Sequence, residues 1–195
     1  MGAITGVREM ASAYAGRRTG FKMTCPVCGY NGMGVREVEY FLPVIGKALL
    51  VSRSCPKCGY RRSEIIPLAT GPRRRVYIRI DSREALRAKV VRLGTASIEI
   101  VELGVTIDPG VDAPTFVTNI EGLLSRVVDA LRTIEVLAVD EREREKAREA
   151  REYLLRLDPG DVPLTIILDD RAGLSGVVES SKAWVLVESV EGELI

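Results

Sequence analysis

Cys25-Pro-Val-Cys28-Gly-Tyr and Cys55-Pro-Lys-Cys58-Gly-Tyr hold all four cysteines of the chain. Each C-x2-C turn delivers two thiolates from one short knuckle, and two such turns make the four soft ligands of a tetrahedral zinc ion. Gly29 and Gly59 follow the second cysteine of each pair. A glycine there permits the positive φ that closes the knuckle and aims amide N–H groups at sulfur. Disulfides are the competing chemistry, but residues 1–20 lack the basic start, apolar stretch and cleavage site of a secretion signal, which favours a reducing cytoplasm. Dithiol redox chemistry is the other alternative, and two matching CPxCG turns speak for a metal. The expected cofactor is one structural zinc ion held by Cys25, Cys28, Cys55 and Cys58.

The chain has no histidine. Ser-His-Asp and Cys-His nucleophiles, two-His-one-carboxylate iron and imidazole general bases are therefore excluded. Catalytic zinc, which keeps an open position and usually histidine ligands, is disfavoured with them. Neither a G-x-x-x-x-G-K-[ST] loop nor a G-x-G-x-x-G turn is present to cradle phosphate. The expectation is a binding protein and not an enzyme, with no small-molecule substrate. No apolar run approaches membrane-spanning length.

The elements that position the knuckles are readable in outline. Residues 1–20, small, polar and basic without a period, read as a flexible N-terminal arm. Residues 21–70 form the zinc module, in which segments 35–40 and 47–52 are β-prone and Pro43 with Gly46 can make the bend. This predicts a hairpin with one knuckle at each end. Gly71-Pro72 then opens a second domain, residues 71–195, with the alternating strand Val76-Tyr77-Ile78-Arg79-Ile80. Asp81-Ser82-Arg83-Glu84 has capping-box spacing, and Leu86, Val90 and Leu93 at helical intervals predict three turns of helix before Gly94. Strands are expected at 97–103 and 105–107, with a turn at Asp108-Pro109-Gly110. Thr118-Asn119-Ile120-Glu121 is a second capping box, opening a stripe of Ile120, Leu123, Leu124, Val127, Leu131 and Ile134. The segment 140–156 pairs Glu141 with Arg144, Glu145 with Arg148 and Arg148 with Glu152 at helical spacing. Together these read as a helical hairpin over residues 118–157, ended by Asp158-Pro159-Gly160, after which 164–168 and 183–188 return to strand character.

Charge is divided along the chain. Residues 1–90 carry 17 Lys/Arg against 6 Asp/Glu, and residues 91–195 carry 11 against 21. Such asymmetry points to different partners for the two halves. Arg53, Lys57, Arg61, Arg62, Arg73, Arg74 and Arg75 form a basic cluster in sequence near the metal site. A nucleic-acid-binding zinc ribbon is thus one open reading, with Tyr30, Tyr40, Phe41, Tyr60 and Tyr77 as aromatic residues that could stack bases.

The knuckles, followed in order by Ile98-Glu99 to Leu103-Gly104, Pro109-Gly110, Thr118-Asn119-Ile120-Glu121-Gly122-Leu123-Leu124 and Pro163-Leu164-Thr165-Ile166-Ile167-Leu168-Asp169-Asp170, resemble the ZPR-type zinc-finger family over residues 21–180. The resemblance implies a fold that is mainly β with α: a four-cysteine, zinc-ribbon-like hairpin followed by a double-stranded β-helix domain with an inserted helical hairpin. It also implies a partner, because eukaryotic relatives bind translation elongation factor 1-alpha, prefer its GDP form and assist its folding. Those relatives carry two tandem copies of the module and also contact a receptor kinase domain. This chain has one copy, like the archaeal members, so receptor binding is not carried over. The family's LDDP-x-G-N-S stretch appears as Leu168-Asp169-Asp170-Arg171-Ala172-Gly173-Leu174-Ser175, with Arg for Pro and Leu for Asn. Asp169, Asp170, Arg171 and Gly173, with Arg73, Arg74 and Arg75, are the candidate partner contacts. Two carboxylates in a glycine-containing turn are more often backbone hydrogen-bonders, and that reading of Asp169 and Asp170 is the favoured one.

Overall fold

A computed structural model describes residues 15–158, 163–178 and 182–190, and the chain divides into two compact units, residues 1–70 and 71–195. The first unit is a four-stranded antiparallel meander of β1 (Ala15–Met23), β2 (Met33–Leu42), β3 (Gly46–Ser54) and β4 (Arg61–Pro67), in that spatial order. Residues 15–20, expected in the N-terminal arm, are therefore strand; residues 1–14 lie outside the described residues. The expected single hairpin is β2–β3, turned at Pro43 and Gly46, and each of its strands continues through a knuckle into a further strand. β1 escaped sequence reading because Arg17, Arg18 and Lys22 leave it no apolar alternation. Its ladder with β2 supplies the order, from Met23 opposite Met33 to Arg18 opposite Val38. The core of this unit is small: Met33, Val35, Val51, Cys25 and Cys55, with Leu49 and Tyr60 packed against it.

The second unit contains β5 (Arg74–Ile80), β6 (Lys89–Arg92), β7 (Ala96–Ile100), β8 (Val105–Ile107), β9 (Phe116–Asn119), β10 (Leu164–Asp170), β11 (Gly176–Val177) and β12 (Trp184–Ser189). They make a five-stranded sheet of order β12-β5-β10-β7-β8 and a three-stranded sheet β11-β6-β9, every pair antiparallel. Two facing antiparallel sheets with a shared core are the double-stranded β-helix, or jelly-roll, arrangement. Period-two burial is sharp where both neighbours are strands: Val76, Ile78 and Ile80 on β5, Ile98 and Ile100 on β7, and Leu164, Ile166 and Leu168 on β10 point into one core. Each of these side chains is stabilised by about 1.5–3 kcal/mol on leaving water.

Helices α1 (Ile120–Leu137) and α2 (Glu141–Arg156) form the inserted hairpin between β9 and β10. The stripe of α1 behaves as its spacing requires, burying Ile120, Leu123, Val127 and Leu131 against the sheets, while α2 buries only Ala147 and Ala150. Arg144 pairs with Glu141 at 2.6 Å and Arg148 with Glu145. The Arg148–Glu152 pair is not formed; Glu152 is bonded by Arg156, and Arg151 instead crosses to Glu135 on α1 at 2.8 Å. The cap of α1 is Asn119, one residue later than the Thr-x-x-Glu spacing places it, its Oδ1 accepting from the Gly122 N–H at 2.8 Å. Pro159 and Gly160, expected to end the hairpin, lie outside the described residues.

The helix expected over residues 82–93 is absent. Ser82 does cap a turn, its Oγ accepting from the Ala85 N–H at 3.3 Å, but the turn is a single 3-10 one over Ala85–Arg87. The chain then extends into β6, where the β-branched pair Val90-Val91 bonds β9 on one side and β11 on the other. The segment expected as strand over 97–103 closes early, in a 3-10 turn over Val101–Leu103 with Gly104 left-handed at φ 57°.

Candidate metal centre and the cleft of the β-domain

Each knuckle is the turn of a hairpin, residues 25–30 joining β1 to β2 and residues 55–60 joining β3 to β4. The two are built alike. The Cys25 N–H donates to the Tyr30 carbonyl at 2.8 Å and the Gly29 N–H to the Cys25 carbonyl at 3.0 Å; Cys55, Tyr60 and Gly59 repeat this at 2.9 and 3.0 Å. Gly29 and Gly59 sit at φ 69° and 75°, the conformation that turns the chain back over its own sulfurs. Because the knuckles lie side by side at one end of the sheet, their sulfurs interleave. Cys25 Sγ lies 3.7 Å from Cys58 Sγ, Cys28 Sγ lies 3.7 Å from Cys55 Sγ, and all four fall within 4.8 Å of one another.

That spacing decides between the chemistries. A disulfide requires about 2.05 Å, and the four thiols are free. A tetrahedron with Zn–S arms of about 2.3 Å has edges of about 3.8 Å, close to the observed separations. The thiols also titrate as an interacting set. At Cys55 burial raises the pKa, but N–H groups of Cys58 and Lys57 and the thiols of Cys58 and Cys25 outweigh it and bring it to about 7. At Cys58 the Tyr60 N–H lowers the pKa, yet burial and the three neighbouring sulfurs push it up to about 12. One sulfur gains charge at its neighbours' expense. A divalent cation is the group that stabilises all four as thiolates at once. The site binds zinc, and with every position filled by cysteine its role is structural.

In the second unit, the candidate contact residues separate into three kinds. Asp169 is clamped by its own chain: Arg73 donates Nε and Nη2 to its two oxygens at 2.8 and 2.7 Å, and Arg75 adds Nε at 2.9 Å. Arg73 and Arg75 hold the Asp169 carboxyl below the usual carboxylate range. Asp170, on the opposite face of β10, is fully buried and accepts four hydrogen bonds, from Thr95 Oγ1 at 2.6 Å and the N–H groups of Ala172, Leu174 and Ser175 at 3.0, 2.8 and 2.7 Å. Burial acts to raise its pKa, and these donors more than offset it, so the carboxyl titrates below its usual range. Asp170 thus folds residues 171–175 around itself. Gly173 serves the same loop at φ 68°, where an added Cβ would lie 1.9 Å from the Pro72 carbonyl oxygen. Arg74 turns inward with Nε and Nη2 buried and without hydrogen-bond partners; burial lowers its pKa, opposed by the Asp170 charge.

Only Arg171 of this set is exposed and without an ionic partner among the described residues. It lines a cleft of about 620 Å³ together with Arg73, Asp169, Thr95, Pro109 and Gly110. Three sequence-distant motifs therefore meet at one opening, whereas Asp170, Gly173 and Arg74 support the loop from behind. Sequence reading missed Arg92 and Ser175. Arg92 is buried, donating to the Ala96 and Pro114 carbonyls and lying 5.9 Å from the Phe116 ring. Ser175 Oγ accepts from the Leu93 N–H at 3.0 Å. A lone arginine in the run Val90-Val91-Arg92-Leu93 was the available signal. Four members of the basic cluster are paired within the chain, Arg53 and Arg62 with Glu64 and Arg73 and Arg75 with Asp169, whereas Lys57 and Arg61 stay exposed.

A family model described as the ZPR1 jelly-roll domain matches residues 84–186. A ZPR1-like protein of Methanocaldococcus jannaschii is 38% identical over 158 residues, 80% of each chain. This chain belongs to the ZPR1 family. A ZPR1-like protein of Pyrococcus horikoshii is 32% identical over 79% of this chain and 71% of its own. The zinc finger chaperone zpr1 of Schizosaccharomyces pombe is 31% identical over 77% of this chain but only 34% of its own length. The zinc-finger name of the Schizosaccharomyces pombe relative agrees with the four-sulfur site. No helix among the described residues is long and apolar enough to cross a membrane.

Proposed function

We propose that this protein is a zinc-dependent interaction factor that binds translation elongation factor 1-alpha and assists its folding. The observation that carries the reading is the pairing of a closed four-cysteine module with a ZPR1 jelly-roll in one chain, similar to a relative called a zinc finger chaperone. Elongation factor 1-alpha itself comes from the resemblance in the ordered motifs. The protein works in the cytoplasm in this reading and performs no catalysis; the nucleotide site belongs to the GTPase.

The cleft beside Arg171 supports the reading because it offers an exposed cation and polar groups on a rigid sheet end, held by Asp170 and Gly173. A partner carboxylate would meet Arg171 there without first breaking the Arg73–Asp169 pair. Calorimetric titration of the zinc-loaded protein with its own organism's elongation factor 1-alpha, nuclease-treated and at physiological salt, tests this. The expected result is micromolar or tighter binding that differs between the GDP and GTP forms. Absence of heat with both forms, with zinc intact, would remove the reading.

A further inference from the structure

The meander of the zinc module has one face of balanced charge and one that is purely cationic. Strand register assigns the charged residues of the paired segments. On one face three carboxylates, Glu37, Glu39 and Glu64, are matched by three cations, Lys47 and the pair Arg53 and Arg62 that converges on Glu64. The three glutamates are the only acidic residues of the unit within the described residues, and all three share that face. The other face is read row by row across the strands: Lys22, Gly34, Ser54, Arg61; then Gly20, Arg36, Ser52, Ser63; then Arg18, Val38, Leu50, Ile65. Its cations Arg18, Lys22, Arg36 and Arg61 are all exposed, and none has an ionic partner among the described residues. Between them stand glycines and three exposed serines. The face thus offers four cations, three hydroxyl donors and no carboxylate.

We infer that this face, Arg18, Lys22, Arg36 and Arg61 on the zinc-module sheet, binds the phosphate backbone of single-stranded nucleic acid. On the lattice of an antiparallel sheet Arg36 lies about 8 Å from both Arg18 and Lys22 and about 12 Å from Arg61. The short side chains between them let a polymer backbone approach the sheet, and serine hydroxyls can donate to phosphate as the cations do. A flexible strand can lie across all three rows, whereas a rigid duplex would touch this flat surface along a narrow line. Base stacking has little to work with. Tyr60 packs against the metal core, Tyr77 donates to Glu188 in the other unit, and Phe41 sits on the charge-balanced face, leaving half-buried Tyr40 at the margin and exposed Tyr30 in the first knuckle. Binding is therefore set by charge, with little dependence on sequence.

The test is fluorescence anisotropy of the full, zinc-loaded chain with labelled 20-nucleotide oligo(U) and oligo(A) between 50 and 200 mM salt. Four contacts to a single strand give a log–log slope near −2.8, a loss of about fiftyfold over that range. Arg36→Ser with Arg61→Ser should roughly halve the slope and cut affinity at least tenfold at 50 mM salt, while Arg142→Ser on α2 changes neither. Zinc content and the far-ultraviolet spectrum show whether each variant is folded, and Arg18→Ser with Lys22→Ser provides an independent pair. Three results overturn the inference: no binding at 50 mM salt, binding unaffected by both folded pairs, or equal affinity for polyglutamate, which would make the face an acceptor of acidic proteins. Tighter binding to a duplex of equal length would overturn the single-strand assignment.

Discussion

Asp170 shows how one side chain can look like a contact and act as a scaffold. Its carboxylate takes a hydroxyl and three backbone N–H groups, so its loss leaves several buried donors unpaired. Asp170→Asn should destabilise the β-domain by about 2–4 kcal/mol, read as a lower urea midpoint, because the amide places its own N–H₂ against donors. The pH dependence has a defined sign. Asp170 and Asp169 titrate below their unfolded value, so their stabilisation is complete above that value, near pH 4, and is lost as pH falls through the lower folded pKa. Denaturation midpoints of the wild type should therefore fall with pH below about 4, and Asp170→Asn should flatten part of that fall. The distinction between Asp169 and Asp170 was present in the sequence: Leu164, Ile166, Leu168 and Asp170 share one parity, so the second aspartate had to face the core. The clamp of Arg73 and Arg75 on Asp169 was not readable, since it depends on β5 lying beside β10 across some ninety residues of chain.

Among the elements, periodicity succeeded where one face alone is buried and failed where two patterns overlapped. The α1 stripe and the β5 and β10 alternations are unambiguous. Leu86, Val90 and Leu93 fit a helix equally well on paper, but the β-branched Val90-Val91 pair completes a three-stranded sheet, and ladder bonds on both sides outweigh a short helix exposed to solvent. β1 was invisible because its side chains face solvent in the pattern of a charged edge, which is also how an edge strand resists pairing with another chain. The one-residue displacement of the α1 cap is testable: Asn119→Ala should cost about 1 kcal/mol in thermal or urea unfolding, as for other N-cap asparagines. Thr118→Ala should cost less than half as much. The reverse order would restore Thr118 as the cap.

For the whole molecule, two units of unequal self-sufficiency share one chain. The β-domain has a core built from both sheets and both helices, while the core cluster of the zinc module holds five buried residues, two of them cysteines. Structural zinc supplies about 10–16 kcal/mol of apparent binding energy near neutral pH, enough to decide whether such a module folds. Cys25→Ser or Cys58→Ser should therefore abolish stoichiometric zinc and the amide dispersion of residues 15–70 while the β-domain keeps its own melting transition. Simultaneous loss of both units in one cooperative melt would contradict this division. The four-sulfur site was legible because its chemistry is local to two hexapeptides. The cationic sheet face was not, because neighbours such as Arg53 and Arg61 differ only in strand parity and in the reach of Glu64. Whether zinc holds the proposed folding factor in its working shape is read from the yield of nucleotide-binding elongation factor 1-alpha recovered from denaturant. The yield should be several-fold higher with the zinc-loaded protein than with Cys25→Ser or with no addition; equal yields in all three would refute the proposed role.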